Sequence, residues 1–358
     1  MSESLVFVVP GDPDQRTGGY LYDAAVVREL RRLGWAVDVV GLAGRFPDAD
    51  DQASRAMAEV LDGLASGARV LIDGLALGGV PDAVRPHAER LELTALIHHP
   101  LADETGLGPE RREAYLESEA RALAACRRVI VTSAFTARRL AQLGLVDREC
   151  VVVEPGVSPA PLAGPVSERL KGREPTGPER LLCVASVTPR KGQDVLVRAL
   201  ADLVDRDWHC VLAGSTQRDP VFALRVFRDI EAAGLTDRVD CIGECDADAL
   251  EAEYSRAGVC LLPSHFEGYG MVVTESLARG LPMITTTGGA LAETAPADSC
   301  LRVEPDDADA LRDALARWLD DGDLRRAMTQ CAAARRPSLR DWPTAGREFT
   351  AALGARAA

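Results

Sequence analysis

This chain of 358 residues is short of positive charge, with a formal net charge of −14. Nucleic-acid binding draws most of its affinity from a basic stripe, so the balance argues against that class of partner. It likewise offers no general attraction to an anionic membrane surface. No run of eighteen apolar residues is present, so no segment reads as a bilayer span. The opening Met1-Ser2-Glu3-Ser4 has no basic region, and the apolar run after it, Leu5 to Val9, is short for a secretion signal. It reads instead as a first strand, and the expected location is cytoplasmic. C-x-x-C pairs are also missing. The nine cysteines include Cys183, Cys210, Cys241 and Cys260 in or beside strand-like runs, which read as buried free thiols. Cys241 and Cys245 are too isolated for a zinc site, and no metal is expected. Neither G-x-G-x-x-G nor a Walker A spacing occurs, which disfavours an oxidoreductase or a P-loop enzyme.

What is present is enough apolar sequence, 47%, for two cores in a chain of two-domain length. Short apolar runs alternate with amphipathic helical stretches, the pattern of parallel sheets covered by helices on both faces. The first series of strands is expected at Leu5–Val9, Ala36–Val40, Arg69–Ile72, Leu93–Ile97, Arg128–Thr132 and Val151–Val153. The second is expected at Leu181–Ala185, His209–Ala213, Arg238–Ile242, Val259–Leu262, Pro282–Thr286 and Cys300–Val303. Between them, Glu154 to Arg180 is dense in proline and glycine and reads as an interdomain connection. The expected domains are 1–160 and 161–335, followed by a C-terminal helix in 336–358. That helix has Trp342, Phe349 and Leu353 near one face.

Candidate site residues gather where loops follow strands. Gly18 and Gly19 lie in a loop after the first strand, entering a helix through Arg32; backbone N–H groups there would face a ligand, although a plain turn also fits. His98 and His99 end the fourth strand, placed equally for a ligand or for a structural cap. Arg190 and Lys191 sit in the loop after the first strand of the second series, as phosphate partners or as a solvated charged loop. The densest stretch runs from His265 to Pro282. It holds the carboxylates Glu267 and Glu275, the flexible Gly268-Tyr269-Gly270, and then Met271 and Val272 opening a helix. Free N–H groups and the helix dipole favour an anion at such a start, while carboxylates accept hydrogen bonds from sugar hydroxyls.

Taken in order, these landmarks resemble a retaining glycosyltransferase of family 4. The specific part is E-G-Y-G-M-V-V-T-E from Glu267 to Glu275, which matches the family's E-x7-E motif. It is followed by S-L-A-R-G-L-P and by Gly288, Gly289 and Glu293. Weaker matches are Gly18-Gly19, Pro155-Gly156-Val157, Arg190-Lys191-Gly192 and Cys260-Leu261-Leu262-Pro263-Ser264. The resemblance covers about Leu5 to Phe349. It implies a GT-B fold: α/β, with two Rossmann-like doubly wound parallel-sheet domains facing an interdomain cleft, and a final helix crossing back to the first domain.

The resemblance further implies a nucleoside diphosphate sugar as co-substrate, held mainly by the second domain, with no separate cofactor, and a hydroxyl acceptor approaching the first. Glu267 would lie at the transferred sugar and Glu275 at the ribose. Gly268, Tyr269, Gly270, Met271 and Val272 would contact sugar and phosphate, Lys191 would neutralise the diphosphate, and Gly18 and Gly19 would close on it. One of His98 and His99 would touch donor or acceptor. The family's usual arginine a few residues before Lys191 is absent, the stretch reading Ala185-Ser186-Val187-Thr188, so either Arg190 replaces it or phosphate binding is weaker. The expected reaction is hexosyl transfer with retention to a small molecule or glycan. The rival readings are a non-catalytic nucleotide-sugar-binding subunit and another GT-B enzyme such as an epimerase.

Overall fold

The structure, a computed structural model, describes residues 3–354 and divides into two compact units. One holds the chain up to Gly156 together with the segment from Arg340 onward, and the other runs from Val157 to Leu339. The first limit therefore falls before residue 160 and the second after residue 335.

In the first unit, β1 (Ser4–Pro10), β2 (Ala36–Leu42), β3 (Arg69–Asp73), β4 (Glu92–Ile97), β5 (Arg128–Val131) and β6 (Val151–Val152) form one sheet in the order β2-β1-β3-β4-β5-β6. Every pairing is parallel. The central strands are buried without alternation, as in Val70-Leu71-Ile72, because helices cover both faces. The edge strand β2 instead exposes Ala36 and Asp38.

In the second unit, β7 (Glu179–Val184), β8 (Trp208–Ala213), β9 (Val239–Gly243), β10 (Val259–Leu262), β11 (Met283–Thr286) and β12 (Cys300–Val303) are again all parallel, in the order β12-β11-β10-β7-β8-β9. All twelve expected strands exist, with ends moved by at most two residues. Strand order reverses between β1 and β3 in one sheet and between β7 and β10 in the other. At such reversals neighbouring loops diverge and leave a crevice at the carboxyl ends of the strands.

The stretch from Glu154 to Arg180, expected as a connection, contains the helix Gly164–Leu170. Its Val166 is fully buried in the second unit, and its Arg169 donates to Glu179 at 2.6 Å and to the carbonyl of Gly258 at 3.1 Å. Proline at the first helical turn is compatible with this, because that N–H has no helical partner. Cys183, Cys210 and Cys260 are buried and form no disulfide.

The first unit is completed by the last helix, Trp342–Ala352, capped by Asp341, whose Oδ1 accepts from the N–H of Thr344 at 2.8 Å. Trp342, Ala345, Gly346, Phe349 and Ala352 share its buried face against the helix Gly18–Arg32. A side chain at Gly346 would put its Cβ 2.5 Å from Cβ of Glu29, so glycine sets how closely the helices approach. Tyr22 meets the Trp342 ring edge-on at 5.8 Å and donates to the carbonyl of Val153 at 2.9 Å. Phe349 is fully buried. Phe349→Ala is expected to cost about 3–5 kcal/mol, read as a lower denaturant midpoint for the first unit; an unchanged midpoint would show that the helix adds nothing to its stability.

Candidate functional site

The second unit builds its site where β7 and β10 part. The loop after β7 and the loop after β10 touch: the N–H of His265 donates to the carbonyl of Arg190 at 2.8 Å. Gly192 has φ +68°, and a Cβ there would lie 2.2 Å from the carbonyl oxygen of Pro263. A residue with a side chain would therefore force the two loops apart.

This contact brings Arg190 and Lys191 onto Glu267. Lys191 Nζ donates to Glu267 Oε1 at 2.5 Å, and Ser264 Oγ donates to the same oxygen at 2.6 Å. Arg190 Nη1 lies 3.4 Å from Glu267 Oε2 and donates to the carbonyl of Phe266 at 2.9 Å. The Glu267 backbone is held by a third loop, accepting from Ala290 at 2.8 Å and donating to Gly288 at 3.3 Å. Burial would raise the Glu267 pKa, but Lys191 and Arg190 outweigh it and hold the carboxyl at about 2. For Lys191, burial pulls the pKa below the ordinary lysine range, against the pull of Glu267.

The next elements point the same way. Gly270, at φ +86°, caps the helix Met271–Ala278, and a Cβ there would sit 2.7 Å from Leu291 Cδ2. The first turn, with Met271 and Val272, thus opens a helix whose leading N–H groups lack helical acceptors. Tyr269 is anchored through its carbonyl, which accepts from Thr294 Oγ1 at 2.8 Å. Glu275, four residues into this helix, accepts from Tyr254 Oη at 3.0 Å. Its pKa is raised by burial, with the Tyr254 hydrogen bond and Arg279 opposing.

Sequence reading missed Ser264 and Tyr254 as partners of the two glutamates. Ser264 stands three residues before Glu267 in a stretch already singled out, whereas no local pattern marks Tyr254. A further signal was available in composition. Of the 41 basic residues only Lys171 and Lys191 are lysines, and Lys171 is an exposed partner of Glu168. Lysine suits a point charge in a tight anion site, where arginine brings a planar fork.

In the first unit the expected residues separate. Gly18 and Gly19 do not lie in the loop: they are the first two residues of the helix Gly18–Arg32, with Thr17 as its extended cap. His98 and His99 also diverge. His98 turns to two carboxylates missed in the sequence, with Nε2 3.1 Å from Asp23 Oδ1 and 3.4 Å from Asp73 Oδ2. His99 Nε2 lies 3.5 Å from Glu104, beside a cavity of about 250 Å³ lined also by Leu101, Arg111 and Tyr115. Asp23 and Asp73 come from the helix after β1 and the end of β3, so no sequence spacing joins them to His98. Burial would lower the His98 pKa, but Asp23 and Asp73 together raise it well above the ordinary range.

The Glu267 cluster has a pH signature. Its folded-state pKa is below the ordinary 4.5, so its stabilising contribution is complete above that value and is lost as pH falls toward about 2. Urea titrations across this window should show wild-type stability falling more steeply than that of Glu267→Gln; parallel slopes would refute the pairing.

Known proteins resemble this chain over part of its length in sequence and over nearly all of it in fold. Residues 167–335 match the family model described as glycosyl transferases group 1, so the match spans the strands and loops of the Glu267 site. Among solved structures, a sucrose-phosphate synthase from Thermosynechococcus elongatus superposes with a TM-score of 0.80 at 22% identity, covering 98% of each chain. Anabaena HepE in complex with UDP-glucose superposes with a TM-score of 0.76 at 17% identity, covering 98% of this chain and 99% of that one. The chain has a two-domain, Rossmann-like GT-B fold.

Among curated relatives, the lipopolysaccharide core biosynthesis mannosyltransferase LpcC of Rhizobium leguminosarum bv. viciae is 32% identical over 143 residues, 39% of this chain and 40% of that protein. The chain spans half or less of the length of the first curated relatives it matches. These matches support a glycosyltransferase of group 1 type. Among the described residues, no helix is long and apolar enough to cross a membrane.

Proposed function

We propose that this protein transfers a hexose from a nucleoside diphosphate sugar to a hydroxyl acceptor, with retention at the anomeric carbon and without a metal. The observation that carries this reading is the buried Glu267 carboxylate held by Lys191, Arg190 and Ser264 beside the glycine turn that opens the helix Met271–Ala278. A ligand combining hydroxyls with a diphosphate matches that mixture of a fixed carboxylate, two cations and a helix start. HepE, a fold neighbour, is solved in complex with UDP-glucose.

In this reading Glu267 accepts hydrogen bonds from the transferred sugar, and Lys191 with Arg190 meets the diphosphate, Arg190 standing in for the absent upstream arginine. The N–H groups from Gly268 to Val272 add to the phosphate cradle, and Glu275 receives the ribose hydroxyls. The first unit, with Gly18, Gly19, His98 and His99 as its candidate residues, presents the acceptor, a small molecule or glycan. The acceptor oxygen forms a bond to the anomeric carbon on the face that the nucleotide leaves. The bond from that carbon to the β-phosphate oxygen breaks with its electron pair moving to the oxygen, which also receives the acceptor's proton. Charge grows on the leaving diphosphate, and fixed cations and N–H groups stabilise it most at that point.

Thermal shifts with UDP, GDP and ADP and their sugars identify the donor, since a ligand that binds the native state raises its stability. With that donor, Glu267→Ala should reduce transfer by about 10²-fold or more while nucleotide affinity changes by a few-fold. Near wild-type transfer by this variant would sink the assigned role. The anomeric configuration of the product, read by NMR, decides retention against inversion.

A further inference from the structure

The helix Pro220–Ala232 joins β8 to β9, and β9 is an edge strand, so the second sheet ends beneath this helix. Phe222, Ala223, Val226 and Ile230 fill its inner face and belong to the core of that unit. Its outer face is apolar as well. Val221 is 80% exposed, Leu224 55% and Phe227 36%, and their three-residue spacing makes them successive neighbours along the helix surface. Among the described residues no other helix exposes three large apolar side chains. Single exposed apolar residues are ordinary, but a row of them on one helix marks a contact surface. One flank is already taken, since Arg225 Nη2 donates to Asp194 Oδ2 at 3.0 Å and ties the helix to its neighbour Gln193–Ala201.

Charges of both signs border the row, and their order matters. Before the amino end stands exposed Arg218, whereas the carboxyl end carries exposed Glu231 and, just beyond it, exposed Asp237. Asp219 caps the first turn, its Oδ1 accepting from the N–H of Phe222 at 2.9 Å, and exposed Arg228 lies more than two turns later. The two ends of this face are therefore complementary to each other.

We infer that this face binds a second copy of the chain, the two helices packing antiparallel about a two-fold axis at Leu224. Val221 then lies against the partner's Phe227. The same arrangement sets Arg218 near the partner's Glu231 and Arg228 near the partner's Asp219, and the axis makes each pair twice. Opposed helix dipoles agree with that direction. A bilayer fits this face less well, because Glu231 and Asp237 would meet an anionic surface with the wrong sign in a chain of net charge −14. One helix face is small for a protein interface, so the dimer forms at micromolar concentrations. None of these residues belongs to the Glu267 site, so association does not depend on the reaction.

Sedimentation velocity of the full chain from about 1 to 200 μM should show monomer passing to dimer across that range. Leu224→Asp should stay monomeric throughout, with melting temperature and far-ultraviolet circular dichroism unchanged, because Leu224 is not part of the core. Arg218→Glu and Glu231→Arg should each weaken dimerisation about threefold or more, and the two together should restore it. A wild-type chain that is monomeric at every concentration would overturn the inference, as would a dimer indifferent to Leu224→Asp. Failure of the paired charge reversal to restore what each single variant loses would refute the antiparallel arrangement. Wild-type monomer that floats with phosphatidylglycerol vesicles, and loses this in Leu224→Asp, would assign the face to a membrane and sink the dimer.

Discussion

The second unit is arranged around one costly act, the burial of the Glu267 carboxylate. A charge taken out of water is tolerated only when nearby groups replace its hydration. Here that replacement comes from two loops at once: Arg190 and Lys191 follow β7, and Ser264 follows β10. Their meeting requires the close crossing at Gly192 and Pro263, and the strand order that puts β10 beside β7 makes the crossing possible. Removing either cation would leave the carboxylate under-compensated, so the electrostatics of the site and the packing of its loops are one constraint.

The first unit solves a related problem with opposite signs. Its buried groups are two carboxylates, Asp23 and Asp73, which share Nε2 of His98 and raise the pKa of that ring. The two units therefore present different charge patterns at the carboxyl ends of their strands. One places cations and helix N–H groups around a single carboxylate; the other places carboxylates around a single histidine.

Much of the architecture was legible because parallel strands buried on both faces are short, continuous apolar runs. All twelve strands follow from that pattern, and so does the last helix, whose Trp342, Phe349 and Leu353 are buried as their spacing suggests. The helix Gly164–Leu170 was hidden because proline at its start resembles a linker until the burial of Val166 and Arg169 is seen. Gly18 and Gly19 read as loop for the same local reason: glycine disfavours a helix interior but costs little in a first turn whose N–H groups are unpaired in any case.

The sequence by itself determined the two doubly wound halves, the glycine turn that opens the helix Met271–Ala278, and the candidacy of Glu267, Glu275, Arg190 and Lys191. These depend on periodicity and on residue types a few positions apart, which local geometry controls. Only the tertiary structure decided that Lys191 pairs with Glu267, that His98 and His99 face different neighbours, and that Asp23, Asp73 and Tyr254 belong to the story. Those partners lie on separate elements far apart along the chain. What brings them within hydrogen-bond distance is the order in which strands are laid into a sheet, which no stretch of sequence records on its own.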